Sequence, residues 1–351
     1  QLQCDIQKGR DTLFWFTTCG WMMWNWLVSG LASGAVVLYD GSPGHPDLGT
    51  LWRMAERTGI THFGTSPKFL AACSKSELVP KNVADLSNFR SLLSTGSPLV
   101  SEQFDWVYEN VHSDIQVASI SGGTDIIGCF LAGSPILPVH RGELQCAQLG
   151  MDVQSWDTDG KPVFGQSGEL VCTQPFPSMP IGFWNDEDGS KYQEAYFDDF
   201  DGVWTHSDYV EMTANGGAII YGRSDTTLNP SGIRIGTAEI YRAVENMKLI
   251  VDAVVVGRPN EGDIDVVLCV KLTTGTDLDE KLESDIRGLI RSATTPRHVP
   301  KYIFEVDDIP YTISGKKVEK AVLATITGRK VGNKDALANP ESLKQYSTLS
   351  F

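Results

Sequence analysis

Two arginines and two aspartates crowd one stretch of this chain. Asp208 ends Trp204-Thr-His-Ser-Asp208, and Arg223, Asp225 and Arg234 follow in the run from Gly222 to Ile235. Farther on, Lys316 closes a glycine loop in Ile313-Ser-Gly-Lys-Lys317. A guanidinium is planar and presents its donors as a fork, which suits paired oxyanion oxygens. An ionised carboxylate only accepts hydrogen bonds and suits two neighbouring donors. An ammonium on a glycine loop suits a point where negative charge builds. Singly, each has a plainer reading: a solvated turn aspartate, a surface ion pair, a loop aspartate before a second domain, or a solvent-facing basic pair in which Lys317 rivals Lys316. Their joint occurrence on irregular polar loops argues for function.

The elements that must position these residues fall into three stretches. Residues 1 to 135 alternate apolar strands, such as Ala35-Val-Val-Leu-Tyr39 and Ile60-Thr-His-Phe63, with helical stretches such as Phe104 to Val111, the signature of an α/β unit. Residues 136 to 224 carry short apolar runs between Gly, Pro and Asp turns, as in a β-rich subdomain, with a hairpin turn expected at Asp157-Thr-Asp-Gly160. Residues 225 to 351 read as a small α+β domain. There Thr237 is a plausible helix N-cap, Ala253 to Val256 and Val266 to Val270 are strands, and Leu278, Leu282, Ile286, Leu289 and Ile290 form a helical stripe. The tail from Asn339 is expected either to be loose or to pack back.

The totals narrow the classes. A chain of 351 residues is too long for one ordinary core, and 41% hydrophobic with 21% charged residues fits a globular protein. A net charge of -15 argues against nucleic acid as the main partner, although local arginines and backbone N–H groups still allow a polyanionic ligand. Seven scattered cysteines without a Cys-x-x-Cys indicate a reduced, cytoplasmic protein. The most apolar run, Trp21 to Tyr39, is interrupted by Asn25, Ser29, Gly30, Ser33 and Gly34, so it reads as a buried helix and strand and not as a membrane span.

The Gly222 to Ile235 run, together with Ser314-Gly315-Lys316, resembles the adenylate-forming acyl-CoA synthetases. Leu13 to Trp26 and Gly236-Thr-Ala-Glu-Ile-Tyr241 resemble the branch of that family that activates acetoacetate, and the similarity covers essentially the whole chain. The resemblance implies an α/β large-domain portion with a β-rich subdomain and a mobile C-terminal α+β domain. It implies a ligase that joins acetoacetate to CoA through an acyl-adenylate, with ATP, Mg²⁺ and coenzyme A, releasing AMP and pyrophosphate. No protein partner is deducible from it.

Residue roles follow from the same resemblance. Asp208 and Arg223 would meet the ribose, with Ser207 standing where the family has glycine. Arg234 and Thr124 would meet the α-phosphate, and Asp225 would be the hinge. Gly96-Ser97-Pro98 would run along the adenine. Asp125, in Ser121-Gly-Gly-Thr124-Asp125, would hold magnesium where the family usually has glutamate. Lys316 would stabilise the adenylation transition state. Acetate-specific relatives place tryptophan at the Gly122 position, so glycine there implies a roomier acyl pocket, a tight turn being its other use. Trp21, Trp24, Asn25 and Trp26 form a patch whose default is core packing. The resemblance adds Trp24 and Asn25 to the acyl channel, with Asn25 facing a keto oxygen.

The family's Ser/Thr/Gly-rich phosphate loop ending in lysine is not found. Thr273-Thr-Gly-Thr276 has no lysine in the right place. With Gln1 as the first residue, the expectation is a chain cut short at its N-terminus, inactive alone, with an open sheet edge and an exposed apolar face. The competing readings are a silent remnant that binds nucleotide or a partner, and a synthetase for another short acid. No Gly-x-Ser-x-Gly, His-Glu-x-x-His or Gly-x-x-x-x-Gly-Lys-Ser/Thr motif occurs, and Trp184 at a first-ligand position removes an EF-hand reading of the Trp184 to Gly189 stretch.

Overall fold

The structure is a computed structural model that describes residues 2–224, 228, 235–260, 263–313, 315–332 and 334–351. The chain divides into two compact units, Gln1–Ile220 and Tyr221–Phe351.

Five short strands build the first unit's main sheet: β1 (Thr12–Trp15), β2 (Ala35–Val37), β3 (His62–Thr65), β4 (Ser91–Ser94) and β5 (Gln116–Ser119). All pairings are parallel, in the order β2-β1-β3-β4-β5. Alternation along each strand sorts the side chains. Leu13, Trp15, Leu93 and Ala118 join Met23 and Leu27 of α1 (Met22–Ser29) in one buried cluster. Phe14, Phe63, Leu92 and Val117 lie side by side in register in the other. That second cluster takes in Trp52 of α2 (Thr50–Thr58), Leu70 of α3 (Pro67–Lys75) and Phe104 of α5 (Ser101–Asn110), while Pro80 of α4 (Pro80–Val83) is buried nearby in the chain. Each such side chain removed from water contributes about 1.5–3 kcal/mol, which is why these runs read as sheet covered on both faces. Gly64 has to be glycine, because a Cβ there would sit 2.1 Å from the Trp15 ring.

Local signals set the helices. Ser66 accepts the Phe69 N–H at 3.3 Å and Pro67 takes the first turn of α3. At the sheet margin β2 has a neighbour on one side only, and Val28, Leu31 and Leu38 nearby in sequence are exposed. The Trp21 to Tyr39 run is therefore a helix and strand as expected, but an edge pair that is only partly buried.

The β-rich texture begins at Ser121, earlier than the expected residue 136. Here β6 (Ser121–Gly123), β7 (Gly128–Ala132) and β8 (Cys146–Ala147) form a small antiparallel sheet. A five-stranded sheet follows, in the order β10-β9-β11-β12-β13. It is built from β9 (Val153–Trp156), β10 (Pro162–Val163), β11 (Ser167–Cys172), β12 (Trp204–Met212) and β13 (Ala218–Arg223), with α6 (Ser190–Tyr196) between β11 and β12. The turn at Asp157 to Gly160 closes as expected, the Asp157 carbonyl accepting the Gly160 N–H at 3.1 Å.

In the second unit, β14 (Ile250–Asn260) pairs antiparallel with β15 (Asp263–Leu272), which pairs parallel with β16 (Tyr302–Glu305). Ala253 and Val255 face α7 (Thr237–Val244) and α8 (Glu280–Ala293), while Val254 and Val256 face α9 (Glu319–Ile326) and the tail. Leu282, Ile286 and Ile290 are the buried stripe of α8, and Asp279 caps it by accepting the Leu282 N–H at 2.7 Å. Thr237 is not the N-cap of α7. Gly236 is, its N–H donating to the Glu239 carboxylate at 3.0 Å, and Thr237 is buried in the first turn. The tail packs back through Leu343 and Tyr346. Among the described residues no helix is long and apolar enough to cross a membrane.

Candidate functional site

The strand order of the parallel sheet reverses between β1 and β3. In open parallel sheets, ligands lie outside the carboxyl ends of the strands near such a reversal. The glycine-rich loops singled out in the sequence leave the carboxyl ends of β4 and β5, on the same edge of this sheet and one and two strands beyond β3. After β4, Gly96 adopts a φ of 101° that favours glycine, and Gly96 and Ser97 are exposed with Pro98 half-buried. Thr95 Oγ1 donates to the Ile120 carbonyl at 2.6 Å, tying this loop to the one after β5. A Cβ on Gly96 would lie 3.8 Å from the Trp21 indole, so Trp21, ahead of α1, borders this loop. Trp24 is half-buried and Asn25 is exposed on α1.

The loop after β5 meets Asp208. Ser121 Oγ donates to Asp208 Oδ2 at 3.2 Å. Asp208 is buried, which removes the reading as a solvated turn aspartate. Its placement comes from a bulge: Glu169 and Val171 of β11 pair with Tyr209 and Thr205, so β12 takes the longer path through His206, Ser207 and Asp208. Ser207 has a φ of 57°, the left-handed backbone that glycine adopts without penalty. The residue type departs from the family pattern, yet the conformation is the one that pattern would supply. His206 is buried edge-on to Phe130 at 4.6 Å, and a Cβ on Gly123 would sit 2.6 Å from its ring.

Gly122 has a packing reason of its own. A Cβ there would lie 2.2 Å from the Gly128 carbonyl oxygen and 2.4 Å from Cys129 Cα, so β6 and β7 can pair this closely only with glycine. Thr124 and Asp125 are exposed on the following turn. The Tyr196 hydroxyl donates to Asp125 Oδ2, and the Tyr196 ring stacks on Trp204 at 3.7 Å, so α6 and the start of β12 hold this carboxylate. Among the described residues no group of three His, Cys, Asp or Glu side chains is gathered for a metal ion. Magnesium commonly uses one or two carboxylates plus phosphate and water, so a single exposed carboxylate such as Asp125 fits it.

Arg223 is exposed at the end of β13. Asp225 and Arg234 lie outside the described residues.

The two adjacent lysines of the second unit are clearly different. Lys316 is exposed. Its loop is a hairpin: the Gly315 N–H donates to the Thr312 carbonyl at 2.8 Å, the Thr312 N–H to the Lys316 carbonyl at 2.8 Å, and the Lys316 N–H to Thr312 Oγ1 at 3.0 Å. Gly315 has a φ of 81° at the turn. Lys317 points inward, pairing with Glu245 and with Asp252 Oδ1 at 3.2 Å, its Nζ 4.1 Å from the Tyr241 ring centre. Burial disfavours its charge, but the two carboxylates outweigh that and raise its pKa. Lys317 is thus occupied structurally, whereas the Lys316 side chain is exposed.

Four contributors were not singled out for these roles in the sequence: Ser121 as the partner of Asp208, Trp21 beside Gly96, Tyr196 beneath Asp125, and Asp252 beneath the lysine hairpin. Only Tyr196 carried a signal, since Tyr192 and Tyr196 share a helix face, and that pattern does not differ from ordinary core packing.

The AMP-binding enzyme family model matches residues 2–182, and the model for the C-terminal domain of these enzymes matches residues 239–316. The chain is 53% identical over 350 residues to the acetoacetyl-coenzyme A synthetase of Rhizobium meliloti, covering 99% of this chain and 54% of that protein. It is 49% identical over 343 residues to the acetoacetyl-CoA synthetase of Danio rerio, covering 97% and 51%. The solved acetoacetyl-CoA synthetase from Streptomyces lividans superposes with a TM-score of 0.91 at 45% identity, covering 99% of this chain and 54% of that one. An anthranilate CoA ligase in complex with anthranoyl-AMP, at 19% identity and a TM-score of 0.70, shares the fold. The chain spans about half the length of the relatives it matches. A family match across more than half the chain, on a fold in which Gly96 and Ser121 follow strands of the parallel sheet and Ser121 bonds Asp208, makes this chain a member of the AMP-binding enzymes.

Proposed function

We propose that the protein carrying this chain is an acetoacetate–CoA ligase. The acetoacetate carboxylate attacks the α-phosphorus of ATP, pyrophosphate leaves, and the CoA thiolate then attacks the acyl-adenylate carbonyl with AMP as leaving group. Asp208 and Arg223 meet the ribose hydroxyls, Gly96-Ser97-Pro98 runs along the adenine, and Thr124 and Arg234 contact the α-phosphate. Lys316 offsets charge that builds during adenylation, and Asp225 is the hinge between the two half-reactions. Asp125 would hold Mg²⁺, which when bound neutralises phosphate oxygens. Trp24, Asn25 and Gly122 belong to the acyl side.

The observation that carries this reading is the buried Asp208, held by Ser121 at the carboxyl end of the parallel sheet. An ionised carboxylate only accepts hydrogen bonds, and a pair of vicinal hydroxyls presents two donors to it. The test is acid-dependent AMP release by the purified full-length protein with ATP, Mg²⁺ and CoA, comparing acetoacetate with acetate, butyrate and 3-hydroxybutyrate. The expected result is the highest kcat/KM for acetoacetate. A higher kcat/KM for another acid refutes the substrate, and no acid-dependent AMP release refutes the ligase.

A further inference from the structure

One carboxylate reaches both legs of the hairpin that presents Lys316. Tyr311 precedes the turn and Lys317 follows it, and the two residues bridge each other as antiparallel partners. Both reach Asp252. The Tyr311 hydroxyl donates to Oδ2 at 2.6 Å, and the Lys317 ammonium lies 3.2 Å from Oδ1. Each oxygen of the same carboxylate thus grips a different leg.

Asp252 reaches this position through an irregularity in its strand. The β14/β15 register shifts between Ile250 and Asp252, and such a bulge re-aims the side chains beside it. Neighbouring groups close the same network: Lys317 also pairs with Glu245, and the Tyr241 hydroxyl donates to Glu319 Oε1 at 2.6 Å while accepting the Val255 N–H at 3.0 Å. The hydrogen bonds within the loop hold the turn itself, backbone bonds tie it to the tail (the Ile313 N–H to the Ala336 carbonyl at 3.0 Å, the Ala338 N–H to the Tyr311 carbonyl at 2.8 Å), and the clasp ties both legs to β14.

The geometry points to Asp252 as a positioning residue for the adenylation half-reaction, clasping both legs of the hairpin so that Lys316 is presented in one place. This rests on the reading of Lys316 given above. An ammonium that must meet developing charge loses much of its effect when displaced by an ångström or so. Asp252 touches no substrate and acts only through the lysine it positions.

The test is a double-mutant cycle in the full-length protein, with both half-reactions measured: acetoacetate-dependent pyrophosphate exchange, and CoA-dependent consumption of freshly prepared acyl-adenylate. Asp252→Ala should lower the exchange kcat by up to about 10²-fold. KM for ATP and the thioester half-reaction should stay within roughly twofold, because the misplaced group acts only in the adenylation transition state. On a Lys316→Ala background, Asp252→Ala should cause no further loss, since a residue that works through Lys316 has nothing left to position. Multiplying losses in the double variant, or equal losses in both half-reactions, would overturn the clasp. If Asp252→Ala does not fold, Tyr311→Phe removes one leg of the clasp and is read by the same cycle, with a several-fold loss expected alone and none on the Lys316→Ala background. Undiminished exchange in Lys316→Ala alone would instead overturn the role of Lys316.

Discussion

Replacing each of the adjacent lysines by methionine separates structure from chemistry at a single-residue step. Lys317 faces Glu245, Asp252 and the Tyr241 ring, with side-chain exposures of 19%, 36% and 15% for Lys317, Glu245 and Asp252. Removing one partner of a buried ion pair costs about 3–5 kcal/mol, because the carboxylates left behind are uncompensated. The partial exposure of Glu245 sets the expectation at the low end, about 3 kcal/mol, with methionine keeping most of the packing of the lysine stem. In a domain of this size that lowers the melting midpoint by about 10 °C. Lys316 is exposed, and a surface substitution there should stay within about 0.5 kcal/mol. Urea denaturation followed by circular dichroism measures both variants. Hydrogen exchange read by mass spectrometry should place the Lys317→Met loss in the Tyr221–Phe351 unit. Lys316→Met should fold as wild type and lose pyrophosphate exchange. Equal midpoints for the two variants, or a Lys316→Met loss as large as that of Lys317→Met, would refute the assignment of opposite roles.

Two further outcomes follow from the first unit. Ser207→Gly relieves a left-handed backbone worth about 1–2 kcal/mol but restores chain entropy to the unfolded state, so a net gain of about 0.5 kcal/mol is expected. Ser207→Val should destabilise instead, and a valine variant as stable as wild type by urea midpoint would contradict the strain at this position. Tyr196→Phe removes the hydrogen bond that holds Asp125 while keeping the ring stack on Trp204, and should raise the Mg²⁺ concentration for half-maximal exchange about tenfold. An unchanged Mg²⁺ dependence would separate Asp125 from the metal.

Much of the fold was legible because burial leaves a periodic trace. The runs around Phe14, Phe63 and Leu92 are short, apolar and bounded by turns, as strands covered on both faces must be. The α8 stripe was readable for the matching reason, with Leu282, Ile286 and Ile290 separated by four residues each. What failed was local. Thr237 carries a capping side chain, but the cap fell on Gly236, since the Glu239 carboxylate already serves the N–H that opens the helix. The β-rich part starts at Ser121 and not at residue 136, and its first strand is short and contains Gly122 and Gly123, residues that carry no strand pattern but let two strands approach closely. Within the candidate site, residue types were legible and partners were not. Nothing in the order of residues joins Ser121 to Asp208, or Tyr311 and Lys317 to Asp252, because those meetings arise from strand order and register.

The two aspartates that organise polar groups share one device. Asp208 lies in the stretch where β12 departs from its register with β11, and Asp252 where β14 departs from its register with β15. A regular strand sends successive side chains to opposite faces, and a half-buried strand would put a carboxylate either in water or against apolar neighbours. A bulge breaks that alternation at one point and aims a charged group along the sheet toward polar partners. At Asp208 the partner is Ser121, at the carboxyl end of β5. At Asp252 the partners are the two legs of the Lys316 hairpin. Patterning rules that assume a strict period of two miss both placements, since a bulge contradicts the local rule in order to serve the site. The left-handed Ser207 adds an independent sign of the same kind, because backbone strain persists only where the surrounding structure holds it in place.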